Sequence, residues 1–311
     1  MTHALITAPA LRARLDSGAP TLICDCSFDL ADATAGARAH AQRHLPGALY
    51  LNLDTDLCGP KDAAGVASAG AVGAAFASAG SVDAGAVDSG GGRGRHPLPT
   101  PQAFVDRLAG LGFGDGLHVV AYDTAGGMYA ARLWWMLRWV GHGAVQVLDG
   151  GVAAWQAAGG KLQAGPVPAL APGGLSLRAP LVAALDYATL RAGLGQGRRL
   201  IVDARAPDRF AGDHETLDPV GGHIPGALNR FFRLNLGPDG CFKPPAQLQQ
   251  EWQALMAGRQ STDLVMQCGS GVSACHNLLA LETAGLPGAV LYPGSWSEWC
   301  AQPQAPVATG A

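Results

Sequence analysis

The chain has 311 residues, enough for two ordinary domains, and a formal net charge of −3. Charge this near balance excludes a nucleic-acid binder that works through a basic face, and no apolar run reaches the eighteen or so residues that span a bilayer. The seven cysteines are odd in number and lack paired CxxC spacing, so neither a disulfide framework nor a metal site is expected.

The amino terminus, MTHALITAPALRARLD, has no basic start before its apolar part, and Arg12 and Arg14 fall where a cleavage site would lie. It does not read as a signal peptide, and a reduced, cytoplasmic protein is expected, with no membrane partner. Leu22–Asp25 (LICD) reads as a strand, with Cys24 and Cys26 expected on its opposite faces. HLPGAL (44–49) follows and leads to Asp54. The stretch Gly59–Arg95 is dominated by Gly, Ala and Ser and ends in SGGGRGR. Such a composition buries little apolar surface, so a flexible insertion is expected there. VVAYDTAGGMYAARLWWMLRWVGHGAVQVLDGGVAAW (119–155) reads as strand, loop, helix, strand and Gly-rich turn. Lys161–Pro180 is rich in Pro and Gly, as a linker should be.

The remainder repeats what precedes it. LIVD (200–203) answers LICD, HIPGAL (223–228) answers HLPGAL, and LVMQCGSGVSACHNLLALETAGLPGAVLYPGSWSEW (264–299) answers 119–155. Strands alternating with helices predict a mostly parallel α/β sheet in each half. The divisions expected are 1–160, a linker at 161–180, and 181–311. Where the second half has Cys268 the first has Asp123, so the first half is expected to lack a sulfur nucleophile.

Cys268 ends a short apolar run and enters a glycine-rich turn before a helical pattern. Gly269 and Gly271 tolerate the positive φ of a tight curl. Successive N–H groups can then converge as an anion nest at a helix start, which favours a thiolate. For a lone cysteine the ordinary reading is a buried structural thiol; the loop around this one argues for a nucleophile.

HIPGA, DAR…RF.G, CGSGV and PGSW.EW, in this order and over nearly the whole chain, resemble the rhodanese/3-mercaptopyruvate sulfurtransferase family. The resemblance implies two tandem α/β domains and transfer of sulfur through a Cys268 persulfide. The donor would be a small molecule and the acceptor cyanide or a thiol such as thioredoxin, with no cofactor. Thiosulfate-using members carry basic residues after the cysteine; the neutral Gly269, Ser270, Gly271, Val272 and Ser273 resemble the donor loop of mercaptopyruvate users. The resemblance also implies a Ser–His–Asp relay that protonates the departing enolate, mapped onto Ser270, His96 and Asp54. It maps the donor-binding arginine onto Arg209. A second arginine expected nine positions on is replaced by Asp218, which keeps thiosulfate open as an alternative donor. Arg205, Asp203 and His223 read as fold residues, and Trp296 and Trp299 as core and cleft wall. A cysteine phosphatase of this architecture needs Arg six residues after the Cys, where this chain has Ala274. A non-enzymatic sulfur-relay module is the remaining alternative.

Overall fold

The computed structural model describes residues 4–61 and 94–310. The insertion expected at 59–95 therefore lies, for residues 62–93, outside the described residues. Short apolar runs bounded by turns form β1 (Leu5–Ile6), β2 (Thr21–Asp25), β3 (Leu49–Tyr50), β4 (His118–Tyr122) and β5 (Val145–Leu148) in the first half. The second half has β6 (Leu200–Asp203), β7 (Leu228–Asn229), β8 (Leu264–Gln267) and β9 (Val290–Leu291). The sheets run β1-β5-β4-β2-β3 and β7-β6-β8-β9, and every neighbouring pair is parallel. A parallel bridge from Ala184 to Leu291 fills in the second sheet the place that β1 holds in the first. The registers also correspond, with Asp25 beside Tyr122 and Asp203 beside Gln267. The central strands are buried on both faces and so read as continuous apolar runs.

The helices of the first half are α1 (Ala8–Asp16), α2 (Ala35–Gln42), α3 (Pro101–Gly110), α4 (Met128–Trp139) and α5 (Gly151–Ala157). Those of the second are α6 (Tyr187–Gly193), α7 (Pro207–Ala211), α8 (Pro245–Met256), α9 (Ser273–Thr283) and α10 (Ser295–Trp299). Side chains start several of them: the Thr100 hydroxyl accepts from Ala103 N–H ahead of Pro101, and Asp186 accepts from Thr189 N–H. Helices α4 and α9, which follow the two corresponding loops, are buried nearly all round and pack against each other. Trp134, Trp135 and Leu137 of α4 share one continuous core with Leu278, Leu279 and Leu281 of α9. Each sheet covers its other face with a smaller cluster of its own half. The carboxyl ends of β4 and β8 thus meet at the junction between the halves.

Cys24 and Cys26 do not face opposite ways. Both lie in the large core cluster, whereas Ile23 lies in the smaller one. Residues two apart on a strand share a face, so the expectation had the period wrong. The 161–180 segment is laid along the first half: Gln163 bridges His44, and Arg178 N–H donates to Val140 O.

Candidate active site

The loop after β8 is braced from behind. Cys268 N–H donates to Ser295 Oγ (3.1 Å), Cys268 O accepts from Trp296 N–H, and Gly269 O accepts from Ser297 N–H. Ser295 takes a positive φ of 54° to do this, a conformation uncommon outside glycine. Of the two loop glycines only Gly271 has positive φ (75°), and a Cβ there would also come 2.4 Å from Pro293 O. Gly269 does not have positive φ, contrary to the sequence reading; it leaves room instead for two arginines. The N–H groups of 269–272 have no acceptor among the described residues. The matching loop of the first half indicates what such a loop accommodates. Asp123 accepts from the N–H groups of Ala125, Gly127, Tyr129 and Ala130 at 2.7–2.8 Å. Burial still pushes its carboxyl up against the pull of those bonds.

Cys268 lies 2% exposed, in the wall of a cleft of about 170 Å³ between the halves. The first half contributes Leu30, Arg95, Met128 and Tyr129. The second contributes Arg209, Phe231, Phe232 and, from the cysteine loop, Cys268, Gly269, Ser270, Val272 and Ser273. Val272 stands at the N-cap of α9 and Ser273 is its first residue.

Ser270, His96 and Asp54 come together although they lie far apart in sequence. Ser270 Oγ is 2.7 Å from His96 Nδ1, and His96 Nε2 is 3.3 Å from Asp54 Oδ1. Burial lowers the His96 pKa to about 4, against the opposing pull of Asp54. The His96 hydrogen bond in turn holds Asp54 well below the usual carboxylate range, helped by Lys61. Near neutral pH the imidazole is therefore neutral. Its Nε2–H donates to the Asp54 carboxylate, and Nδ1 accepts from the Ser270 hydroxyl, a tautomer fixed by its partners. His96 and Asp54 do not line the cleft and reach it through Ser270.

Arg209 is gripped along its Nε/Nη2 edge by Glu215, at 2.8–3.2 Å. Burial raises the Glu215 carboxyl, but Arg209 and the loop N–H groups outweigh it and the pKa is lowered. Asp218, at the position where a second arginine was expected, does not point away. It bridges Arg95 Nη1 (2.5 Å) and Arg209 Nη2 (3.3 Å). Arg205 is fully paired with Asp203 and Glu215 and lies over the Trp296 ring. Trp296 and Trp299 are wholly buried and do not line the cleft. His223 bonds Phe210 O and His44 bonds His40 O, each inside its own half.

Two residues escaped the sequence reading. Arg95 was hidden at the end of a low-complexity run. Arg132, fully buried in α4, donates from Nη1 to Gly271 O (3.0 Å) and from Nη2 to His96 O (3.1 Å). It ties the cysteine loop to His96. A single arginine within the apolar run MYAARLWWML was the available signal.

Two parallel α/β units share one cleft, with an acid in the loop of one and a cysteine in the loop of the other. That combination defines the class: a duplicated protein with one cysteine-bearing loop. The model of the rhodanese-like domain matches residues 7–158 and again 186–302, and the chain belongs to that family. It is 44% identical to a probable 3-mercaptopyruvate sulfurtransferase of Pseudomonas aeruginosa, over 98% of both chains. It is 34% identical to a putative thiosulfate sulfurtransferase, SseB, of Mycobacterium tuberculosis, over 98% of this chain and 97% of that one. The structure of 3-mercaptopyruvate sulfurtransferase from Leishmania major superposes with a TM-score of 0.76 at 26% identity, covering 96% of this chain and 74% of that one.

Proposed function

We propose that this chain is a sulfurtransferase that takes sulfur from 3-mercaptopyruvate onto Cys268 and passes it to a thiol acceptor or cyanide. Cys268 attacks the donor sulfur, the carbon–sulfur bond breaks toward carbon, and pyruvate departs as its enolate. The proton lost when Cys268 ionises enters the relay through Ser270 and rests on His96, with Asp54 balancing the charge. It returns to the enolate carbon through the same hydroxyl. Cysteine thiol and donor thiol thus become persulfide and pyruvate, with no proton unaccounted for. The anionic end of the donor lies against Arg209, and the backbone from Gly269 to Ser273 forms the floor. A small thiol or a thioredoxin-like dithiol then attacks the outer sulfur. The halves 1–160 and 181–311 divide the work: the first has no nucleophile, since Asp123 fills its own nest, and it supplies Asp54 and His96.

The observation that carries this reading is the Ser270–His96–Asp54 chain beside Cys268. An enolate must be protonated, whereas the sulfite released from thiosulfate need not be. Thiosulfate is the second reading, favoured by the name of the mycobacterial relative and by the arginines beside the loop. Steady-state rates with the two donors, measured side by side, decide between them. Mercaptopyruvate should have the higher kcat/KM. Ser270→Ala should lower its kcat by about a hundredfold or more and leave persulfide formation from thiosulfate nearly unchanged. Cys268→Ser should form no persulfide by intact mass. A higher kcat/KM for thiosulfate, or equal loss on both donors in Ser270→Ala, would reject the mercaptopyruvate assignment.

A further inference from the structure

The carboxylate at the end of the Ser270–His96–Asp54 chain is not reserved for the histidine. Lys61 Nζ donates to Asp54 Oδ1 at 2.5 Å, and His96 Nε2 reaches that same oxygen at 3.3 Å. Asp54 faces away from the cysteine cleft and lines a second cavity of about 290 Å³ with Asp56, Cys58, Phe104 and Arg107. The side chains of Lys61 and Asp54 are 29% and 31% exposed, against 3% for His96. The ammonium therefore keeps enough water to stay charged, while the imidazole has almost none. Of the charged groups near His96, Asp54 favours a proton on the ring, and Lys61 and Arg95 oppose one. Arg95 is held by Asp218 from the other half, and Asp56 is paired with Arg107. Arg132 of α4 bonds the His96 carbonyl, Ser270 presents a neutral hydroxyl, and burial pushes the Cys58 thiol up to about 11. Lys61 is thus the cation that shares the histidine's own acceptor.

We propose that Lys61 is a positioning residue of the relay: acting through Asp54, it limits how firmly His96 holds the proton taken from Cys268. A carboxylate that faces an imidazole alone stabilises the imidazolium with its full charge. Here the ammonium takes the shorter bond on the shared oxygen, so the pair that Asp54 can form with a protonated His96 is weaker. The low proton affinity of the buried ring fits this arrangement. Weak holding suits a relay that must surrender its proton to an enolate. On return, the proton passes from His96 Nδ1 to Ser270 Oγ as the Ser270 hydrogen passes to the enolate carbon. His96 is then neutral and ready for the next cycle. Lys61 touches neither donor nor cysteine, and its effect reaches the reaction only through the carboxylate.

This inference rests on the mercaptopyruvate reading, and the test separates the two. The His96 ring is titrated by NMR in wild type, Lys61→Met and Lys61→Arg, its signal assigned by its loss in His96→Gln. The pH dependence of kcat/KM is measured on the same proteins with mercaptopyruvate and with thiosulfate. A full charge at about 5 Å in a water-like medium moves a pKa by roughly half a unit, and by more where the pair is partly buried. Removing Lys61 removes repulsion from the imidazolium, so in Lys61→Met the ring should titrate roughly half a unit to one unit higher. The acid limb of the mercaptopyruvate profile reports the same group and should rise with it. Lys61→Arg keeps the charge and should leave both where wild type has them. The thiosulfate profile should not move, because sulfite leaves without a proton. An unmoved His96 titration in Lys61→Met overturns the proposal. So does an equal shift of the acid limb on both donors, or a shift in Lys61→Arg as large as in Lys61→Met. Wild type that fails to turn over mercaptopyruvate rejects the donor reading itself, and the NMR titration then still decides whether Lys61 governs His96.

Discussion

At the scale of single residues, His96 is where burial and chemistry meet. The proposed relay needs a neutral base to accept a proton, and burial holds the imidazole neutral by lowering its pKa to about 4 from 6.5. The same shift bears on stability. Between those two pH values the unfolded chain binds a proton at this histidine and the folded chain does not, so stability falls as pH drops from 6.5 toward 4. A shift of this size corresponds to about 3 kcal/mol over the full window. Urea midpoints of wild type and His96→Gln at pH 7 and pH 5 should show the wild type losing more stability on acidification. A loss as large in His96→Gln would mean that the histidine is not buried neutral. Ser270, Gly271 and Arg209 were legible because each sits inside a short motif. Arg95 was not legible, because its partner Asp218 and its neighbour Gly269 belong to the other half, and no local pattern connects residues that only the closed cleft brings together.

At the scale of elements, helix α4 does more than fill the core. Its Arg132 bridges the carbonyls of Gly271 and His96, so the first half holds both the cysteine loop and His96 from behind. No acidic partner pairs with it among the described residues, and its charge is stabilised by carbonyl dipoles at the cost of full desolvation. Removing it should cost activity more than stability. In Arg132→Met the loop and His96 lose their common brace, and kcat for mercaptopyruvate should fall about ten- to a hundredfold, as small misplacements of reacting groups do. Arg132→Lys should fall nearly as far, because a single ammonium cannot span two carbonyls as a planar fork does. Wild-type kcat in the lysine variant would show that charge alone suffices. The strand, loop and helix order on both sides of this contact was evident from the repeat. The pairing of α4 with α9 was not, since a helix buried nearly all round does not say which neighbour covers it.

At the scale of the whole molecule, duplication explains both the fold and the division of labour. Each half keeps the parallel sheet, the buried Asp that ends its first central strand and the His of the HφPGA turn. Only one loop keeps the cysteine; the other has turned the same nest into an internal tie through Asp123. The sequence divides at a linker into 1–160 and 181–311, and the principal core runs through both halves by way of α4 and α9. A half on its own would expose Trp134, Trp135 and Leu137, or Leu278, Leu279 and Leu281, to water. At about 25 cal/mol per Å² of apolar surface that exposure is a large share of a domain's net stability. The halves should therefore unfold together. Urea unfolding followed by tryptophan fluorescence, which reports Trp134, Trp135, Trp139 and Trp155 in one half and Trp252, Trp296 and Trp299 in the other, should coincide with unfolding followed by circular dichroism. Two separated transitions would show instead that each half is stable without the other. The shared cleft, with Cys268 and Ser270 on one side and Met128 and Arg95 on the other, would then be held by surface contacts and not by a common core.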